Sequence, residues 1–419
     1  MAAVLNTHRE KYPLQSYFLL KRDPISFLSG VSADCGDFAR IGIFTSSFYL
    51  VNDPDLIREA LVEKNEALII KGGVSRGLAR LIGNGILTNR GENWRKSRKT
   101  LQPLFNQDSL ESHARIIPTR VQESLDRWKS KFSGEPFEIS LELLMLSTRI
   151  TCSTLFRYVP SFDEAEKFSQ AILILQNDGM NRHMIGLDLA EWIPLPINGR
   201  VKRARRALRE LAEKCIASGA DQPIDEILSI LFASTESVTN TLCWTMKLLD
   251  DHPDFQSKLT KSDDTLSQVI SETLRLYPAG WAFERFADLE TSLGGVRIPR
   301  GSRLLFSPFL LHRNPRFWKN PDSFDPERFS GQPLSPIGVP KYAYLPFGAG
   351  PRSCIGGRLA WAEISTILQM LYTQYRWKIE SIPNEPPFEP RGAFKIRLSG
   401  PLMARASSIH TPSQNRDAN

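Results

Sequence analysis

Two short runs near the start are rich in apolar and β-prone residues: Phe38-Ala-Arg-Ile-Gly-Ile-Phe44 and Ser47-Phe-Tyr-Leu-Val51. They read as a pair of strands with a polar turn between them. Asp53-Pro-Asp55 follows, with Asp53 placed to cap a helix that starts at Pro54. Beyond residue 109 the apolar positions recur at helical spacing. Helices are predicted over 109–132, 141–156, 163–176 and 358–372. Residues 223–250 read as one long helix, interrupted in the middle by Ala233-Ser-Thr-Glu-Ser-Val-Thr239. Strand-like pieces return at 293–298, 303–306 and 394–398. Helices dominate and strands gather near the two ends, which excludes a doubly wound α/β fold with its regular alternation.

The densest chemistry lies in Phe347-Gly-Ala-Gly-Pro-Arg-Ser-Cys-Ile-Gly356, a glycine-hinged loop that presents one thiol before a helix. One sulfur cannot close a structural zinc site, which needs four ligands. It suffices as the single protein ligand of a haem iron, where a thiolate pushes electron density onto the metal. Gly348 and Gly350 let backbone approach a flat macrocycle. The following helix directs its partial positive charge at the sulfur. Arg352 puts a cation where an acidic haem substituent can pair with it.

The run resembles the haem-binding signature of the cytochrome P450 superfamily, Phe-Gly-x-Gly-x-Arg-x-Cys-x-Gly, without a mismatch. The resemblance implies a mainly α fold with small β-sheets. In it a haem b (iron protoporphyrin IX) lies between a long central helix and the cysteine loop, with Cys354 as axial iron ligand and Phe347 and Gly348 beside the cofactor. It also gives roles to other residues. Glu272-Thr-Leu-Arg275 resembles the family's E-x-x-R pair, and Arg328 in Phe324-Asp-Pro-Glu-Arg-Phe329 the third member of that structural triad. Trp94 and Arg98 resemble its W-x-x-x-R propionate pair, and Arg285 an arginine at the other propionate. Ala233-Ser-Thr-Glu-Ser237 falls where the family has Ala-Gly-x-(Asp/Glu)-Thr. Glu236 and Ser237 are thereby the expected acid–alcohol pair for proton delivery, although Ser237 replaces the usual Thr and Ser234 the usual Gly. By position, Phe232, Ala233, Trp281, Phe283 and the stretch 71–87 are expected to line the substrate pocket.

The expected function is a monooxygenase that inserts one oxygen atom from dioxygen into a hydrophobic small molecule, of terpenoid or fatty-acid type. Electrons are expected from a separate ferredoxin or flavoprotein, because no flavin or nicotinamide domain is fused. The basic residues Arg95, Lys96 and Lys99 are candidates to steer it. The alternatives are a peroxide-driven or isomerising haem-thiolate enzyme, or a haem-binding protein without turnover. The second finds support in Ser234 and in the segments 217–223 and 260–264, which are short for the family.

Composition narrows the setting. The 419 residues are 41% hydrophobic and 24% charged, an ordinary globular balance, and no linker divides the chain between Lys11 and Arg405. One domain is expected over 1–405, followed by a disordered tail at 406–419. No apolar run is long enough to span a bilayer, and the N-terminal stretch has no apolar core of signal type, so no membrane anchor is expected. Five widely spaced cysteines, odd in number and without CxxC, suit a reducing cytoplasm. The net charge of +7 decides no partner. The basic cluster at Arg200, Lys202, Arg203, Arg205, Arg206 and Arg209 reads as a solvated helix face, with no nucleic-acid module beside it.

Overall fold

A computed structural model describes residues 4–8, 15–43, 46–70, 73–131, 135–179, 196–380, 391–392, 396–397 and 400–409. The two predicted strands are Phe38–Ile43 and Ser46–Val51, paired antiparallel with Phe38 opposite Val51. They join a six-stranded sheet in the order Asn6–His8, Phe38–Ile43, Ser46–Val51, Arg303–Phe306, Phe283–Ala287, Leu68–Ile69. Distant parts of the chain thus share one sheet. Its inner face packs Tyr49, Val51, Leu304 and Phe306 into a small second core.

Helices form the larger body. Gln107–Trp128, Ile139–Leu155, Phe162–Ile174 and Gly357–Gln374 lie where the apolar spacing predicts them, within a few residues at each end. The long helix Ile224–Asp251 packs against Ile139–Leu155, Asp263–Leu276 and Gly357–Gln374. Leu231, Phe232 and Leu242 on it are fully buried. Each such side chain contributes about 1.5–3 kcal/mol of burial.

That helix departs from expectation in one respect: it has no break at 233–239. The hydroxyls of Ser234, Thr235, Ser237, Thr239, Thr241 and Thr245 donate to carbonyls four residues back, at 2.7 to 3.0 Å. A carbonyl oxygen has two lone pairs, so each hydroxyl adds a bond without displacing the backbone N–H.

Asp53 caps its helix as expected, accepting from the Asp55 and Leu56 amides. The helix Pro54–Arg58 then widens into a π turn over Glu59–Glu63. The basic residues of Pro196–Ala217 lie on or near its outward side, while Val201, Ala204, Leu208 and Leu211 are buried. The strand Met403–Ser408 pairs along its whole length with Tyr375–Glu380, so ordered structure runs past residue 405 into the expected tail. Residues 410–419 lie outside the described residues, as do Lys71 and part of the predicted strand at 394–398. Among the described residues, no helix is long and apolar enough to cross a membrane.

Candidate active site

The cysteine loop is built by tight turns. The Gly348 amide donates to Leu345 O, the Ser353 amide to Gly350 O and the Cys354 amide to Phe347 O at 2.9 Å. Gly348 and Gly350 have φ of +70° and +72°, which L side chains rarely adopt. At Gly350 a Cβ would lie 2.0 Å from Leu61 O on the π turn. Cys354 emerges just before the helix Gly357–Gln374 and is the one exposed cysteine. The other four are buried, and none of the five is bridged.

Cys354 opens into a cavity of about 390 Å³. Its lining includes Phe347 and Gly348 from the loop, and Ile230, Ala233, Ser234, Ser237, Val238 and Thr241 from the long helix. These helix positions recur at three- and four-residue steps, which is one face. Phe232 falls on another face and packs in the helical core, so it does not line the cavity. Trp281 is corrected likewise. Ala279, Gly280 and Phe283 line the cavity, while Trp281 packs away among Phe27, Leu28 and Phe309. Glu236 is buried in the helix beside Ser237 but is not on the wall.

Three guanidinium groups gather at one side. Trp94 and Arg98 share the helix Gly91–Leu101 and both line the cavity. Arg98 donates to Ser353 O at 2.8 Å, which ties that helix to the residue before Cys354. Arg352 stacks 4.1 Å over Trp94 and donates to Asn89 O. Arg285 is buried on the strand Phe283–Ala287, close enough to depress Arg352 but not on the cavity wall. Burial lowers all three, Arg285 and Arg352 to about 10. Among the described residues none of the three has a carboxylate partner in an ion pair. Partly desolvated cations around an apolar cavity favour an anionic ligand. The hinged loop, the exposed sulfur and these cations together fit a flat, acid-bearing haem.

Behind the loop, Glu272 and Arg275 form a fully buried bidentate pair at 2.7 and 2.8 Å. Arg275 also donates to His312 O, Pro321 O and Ser323 O. Burial raises the Glu272 carboxyl, with Arg275 opposing. Arg328 lies 3.5 Å from Glu272, beyond a close bond, and donates instead to Asn320 O.

The cytochrome P450 family profile matches residues 12–226 and 221–400. The chain is a cytochrome P450. Cyclooctat-9-en-7-ol 5-monooxygenase of Streptomyces melanosporofaciens is 29% identical over 87% of this chain and 87% of that protein. Pentalenene oxygenase of Streptomyces avermitilis is 27% identical, covering 86% and 88%. The crystal structure of CYP175A1 from Thermus thermophilus superposes with a TM-score of 0.81 at 26% identity, over 96% of this chain and 99% of that one. With oxygenases as its relatives, this P450 is a monooxygenase, and a thiolate-bound haem is the cofactor that goes with the family.

Three residues around the site of this P450 escape the sequence: His312, Thr151 and Glu363. His312, fully buried, has Nδ1 3.2 Å from Arg275 O, while Nε2 accepts the Leu345 amide at 2.8 Å. It therefore couples the Glu272–Arg275 pair to the strand-like approach to the cysteine loop. Burial and the Arg275 charge lower it to about 3. Thr151, from the helix Ile139–Leu155, lines the cavity and bonds Ser234 at 3.1 Å. Glu363 on the helix Gly357–Gln374 also lines it, and burial pushes its carboxyl up to about 8. Only side-chain placement reveals these; no spacing motif announces them.

Proposed function

We propose that this P450 holds haem b through Cys354 and inserts one atom of dioxygen into a cyclic, terpenoid-like molecule. The observation that carries this reading is the single exposed sulfur opening into an apolar cavity under the long helix. Arg98, Arg285 and Arg352 are assigned to the acidic side of the cofactor, with Trp94 packed beneath Arg352. Glu272, Arg275 and, more loosely, Arg328 hold the loop in place. When bound, the haem supplies the dioxygen-activating chemistry. One oxygen atom enters a C–H or C=C bond, and the other leaves as water after uptake of two electrons and two protons.

The chain's own contribution to proton supply is Ser237. Ser237 lines the cavity, and its hydroxyl donates to Ala233 O at 2.7 Å. Delivery requires that bond to open, with Glu236 behind it as the acid. The wall residues Ile70, Ile86, Leu87, Ala233 and Phe283 exclude water and select an apolar skeleton. The relatives' names support a terpenoid and include both an alcohol and a hydrocarbon, cyclooctat-9-en-7-ol and pentalenene. Electrons come one at a time from a separate ferredoxin or flavoprotein docking near Lys96 and Lys99. Five unbridged cysteines suit work in a reducing cytoplasm.

The test is the absorption spectrum of the reduced protein under carbon monoxide, with Cys354→Ser beside it. A strongly red-shifted Soret band that is lost in the variant is expected. A band typical of neutral or histidine ligation in the parent protein overturns the assignment of Cys354. Ser237→Ala is expected to leave that band in place while lowering product formed per reduced nicotinamide consumed. Unchanged coupling would remove Ser237 from proton delivery.

A further inference from the structure

We infer that Thr151 and Ser234 form a subsite for a substrate hydroxyl, so that this P450 takes an alcohol in preference to the parent hydrocarbon or ketone. The inference rests on the oxygenase reading above and specifies its substrate class. Thr151 Oγ1 and Ser234 Oγ lie 3.1 Å apart on two packed helices, and both residues line the cavity.

Hydrogen accounting gives the site its selectivity. Ser234 has one hydroxyl proton, and Ile230 O at 2.9 Å takes it. With Ser234 donating to Ile230 O, the Thr151 proton closes the bond to Ser234, leaving two lone pairs on Thr151 and one on Ser234 to receive a proton. Ser237 and Thr241 on the same wall also spend their protons, on Ala233 O and Ser237 O. So arranged, the Thr151–Ser234 pair offers acceptors and no donor. A substrate hydroxyl, which brings its own proton, satisfies such a pair. A ketone or ether oxygen meets lone pairs, and a hydrocarbon adds no bond. The surrounding wall, with Ile86, Leu87, Leu155, Val238 and Phe283, takes the carbon skeleton.

The Ser234 hydroxyl, where the family has glycine, is thus half of a binding site. The reaction that supplies the substrate must be one that leaves a hydroxyl on the skeleton: an earlier hydroxylation, or a cyclisation ended by water.

The experiment is a spin-state titration of the haem-loaded protein with cyclododecanol, cyclododecanone and cyclododecane, which share one ring. The alcohol is expected to bind at least about tenfold more tightly than the other two. Thr151→Val and Ser234→Ala are each expected to shrink that gap below about threefold while the carbon monoxide band stays unchanged. Equal affinities in the parent protein, or a gap that survives both substitutions, overturn the subsite and leave the oxygenase reading standing. Absence of a thiolate band in the parent overturns both.

Discussion

Protonation of His312 makes both ring nitrogens donors, and Nε2 can then no longer accept the Leu345 amide. The folded protein holds this histidine at about 3, below its ordinary value of 6.5. Between those values the unfolded chain binds a proton that the folded one refuses, so stability is lost as pH falls from 6.5 toward 3, by about 1.4 kcal/mol per pH unit. Haem retention is expected to fall over that acid window, and His312→Gln, which keeps an acceptor without titrating, is expected to flatten the fall. Equal acid sensitivity in the two proteins would rule out His312 as the cause. Glu363 acts with the opposite sign. Its carboxyl is raised to about 8, so stability falls as pH climbs from 4.5 to 8. Glu363→Gln is expected to be more stable than the parent by about 2–4 kcal/mol at pH 8, with little difference at pH 4.5, as read by thermal unfolding. At Gly350 a methyl group would press on Leu61 O and require a left-handed backbone. Gly350→Ala is expected to abolish haem incorporation, which the Soret absorbance of the purified protein measures directly.

Among the elements, the helix Asp263–Leu276 bears the greatest burden through one side chain. Arg275 has five N–H groups, and five bonds are made with them: two to Glu272 and one each to His312 O, Pro321 O and Ser323 O. Glu272→Ala leaves that cation buried and unpaired, which costs about 3–5 kcal/mol. Denaturant unfolding is expected to show a loss of that size, accompanied by loss of haem. The E-x-x-R spacing made the pair legible in advance, because i and i+3 share a helix face. The long helix was legible as an element but not in its detail. A run of Ser and Thr suggests a break, yet the hydroxyls bond back to carbonyls four residues earlier and the helix stays continuous. Face assignment failed for the same kind of reason. Phe232 and Trp281 have the apolar bulk of a pocket residue, but helical phase and the bend at Ala279 and Gly280 send them into the core. Thr151 was invisible because its partner lies 83 positions away.

At the scale of the whole molecule, the helix-rich class and most helix positions were legible from periodicity. The sheet was not, since its order depends on pairing Ser46–Val51 with Arg303–Phe306 across the chain. The proposed docking face shows a similar division. Arg95, Lys96 and Lys99 are all exposed, but Arg95 is already paired with Glu66 and Glu92. Charge reversal at Lys96 and Lys99 is therefore expected to slow reduction by an acidic partner more than reversal at Arg95, with salt lessening the difference, in stopped-flow measurements. The distribution of sulfur also has a practical consequence. The four buried cysteines are at 35, 152, 215 and 243, and Cys354 alone is open. A thiol reagent applied to protein stripped of cofactor should thus modify one group per chain and, after reloading, none. The molecule carries its own stoichiometric gauge of how much of a preparation is charged for catalysis.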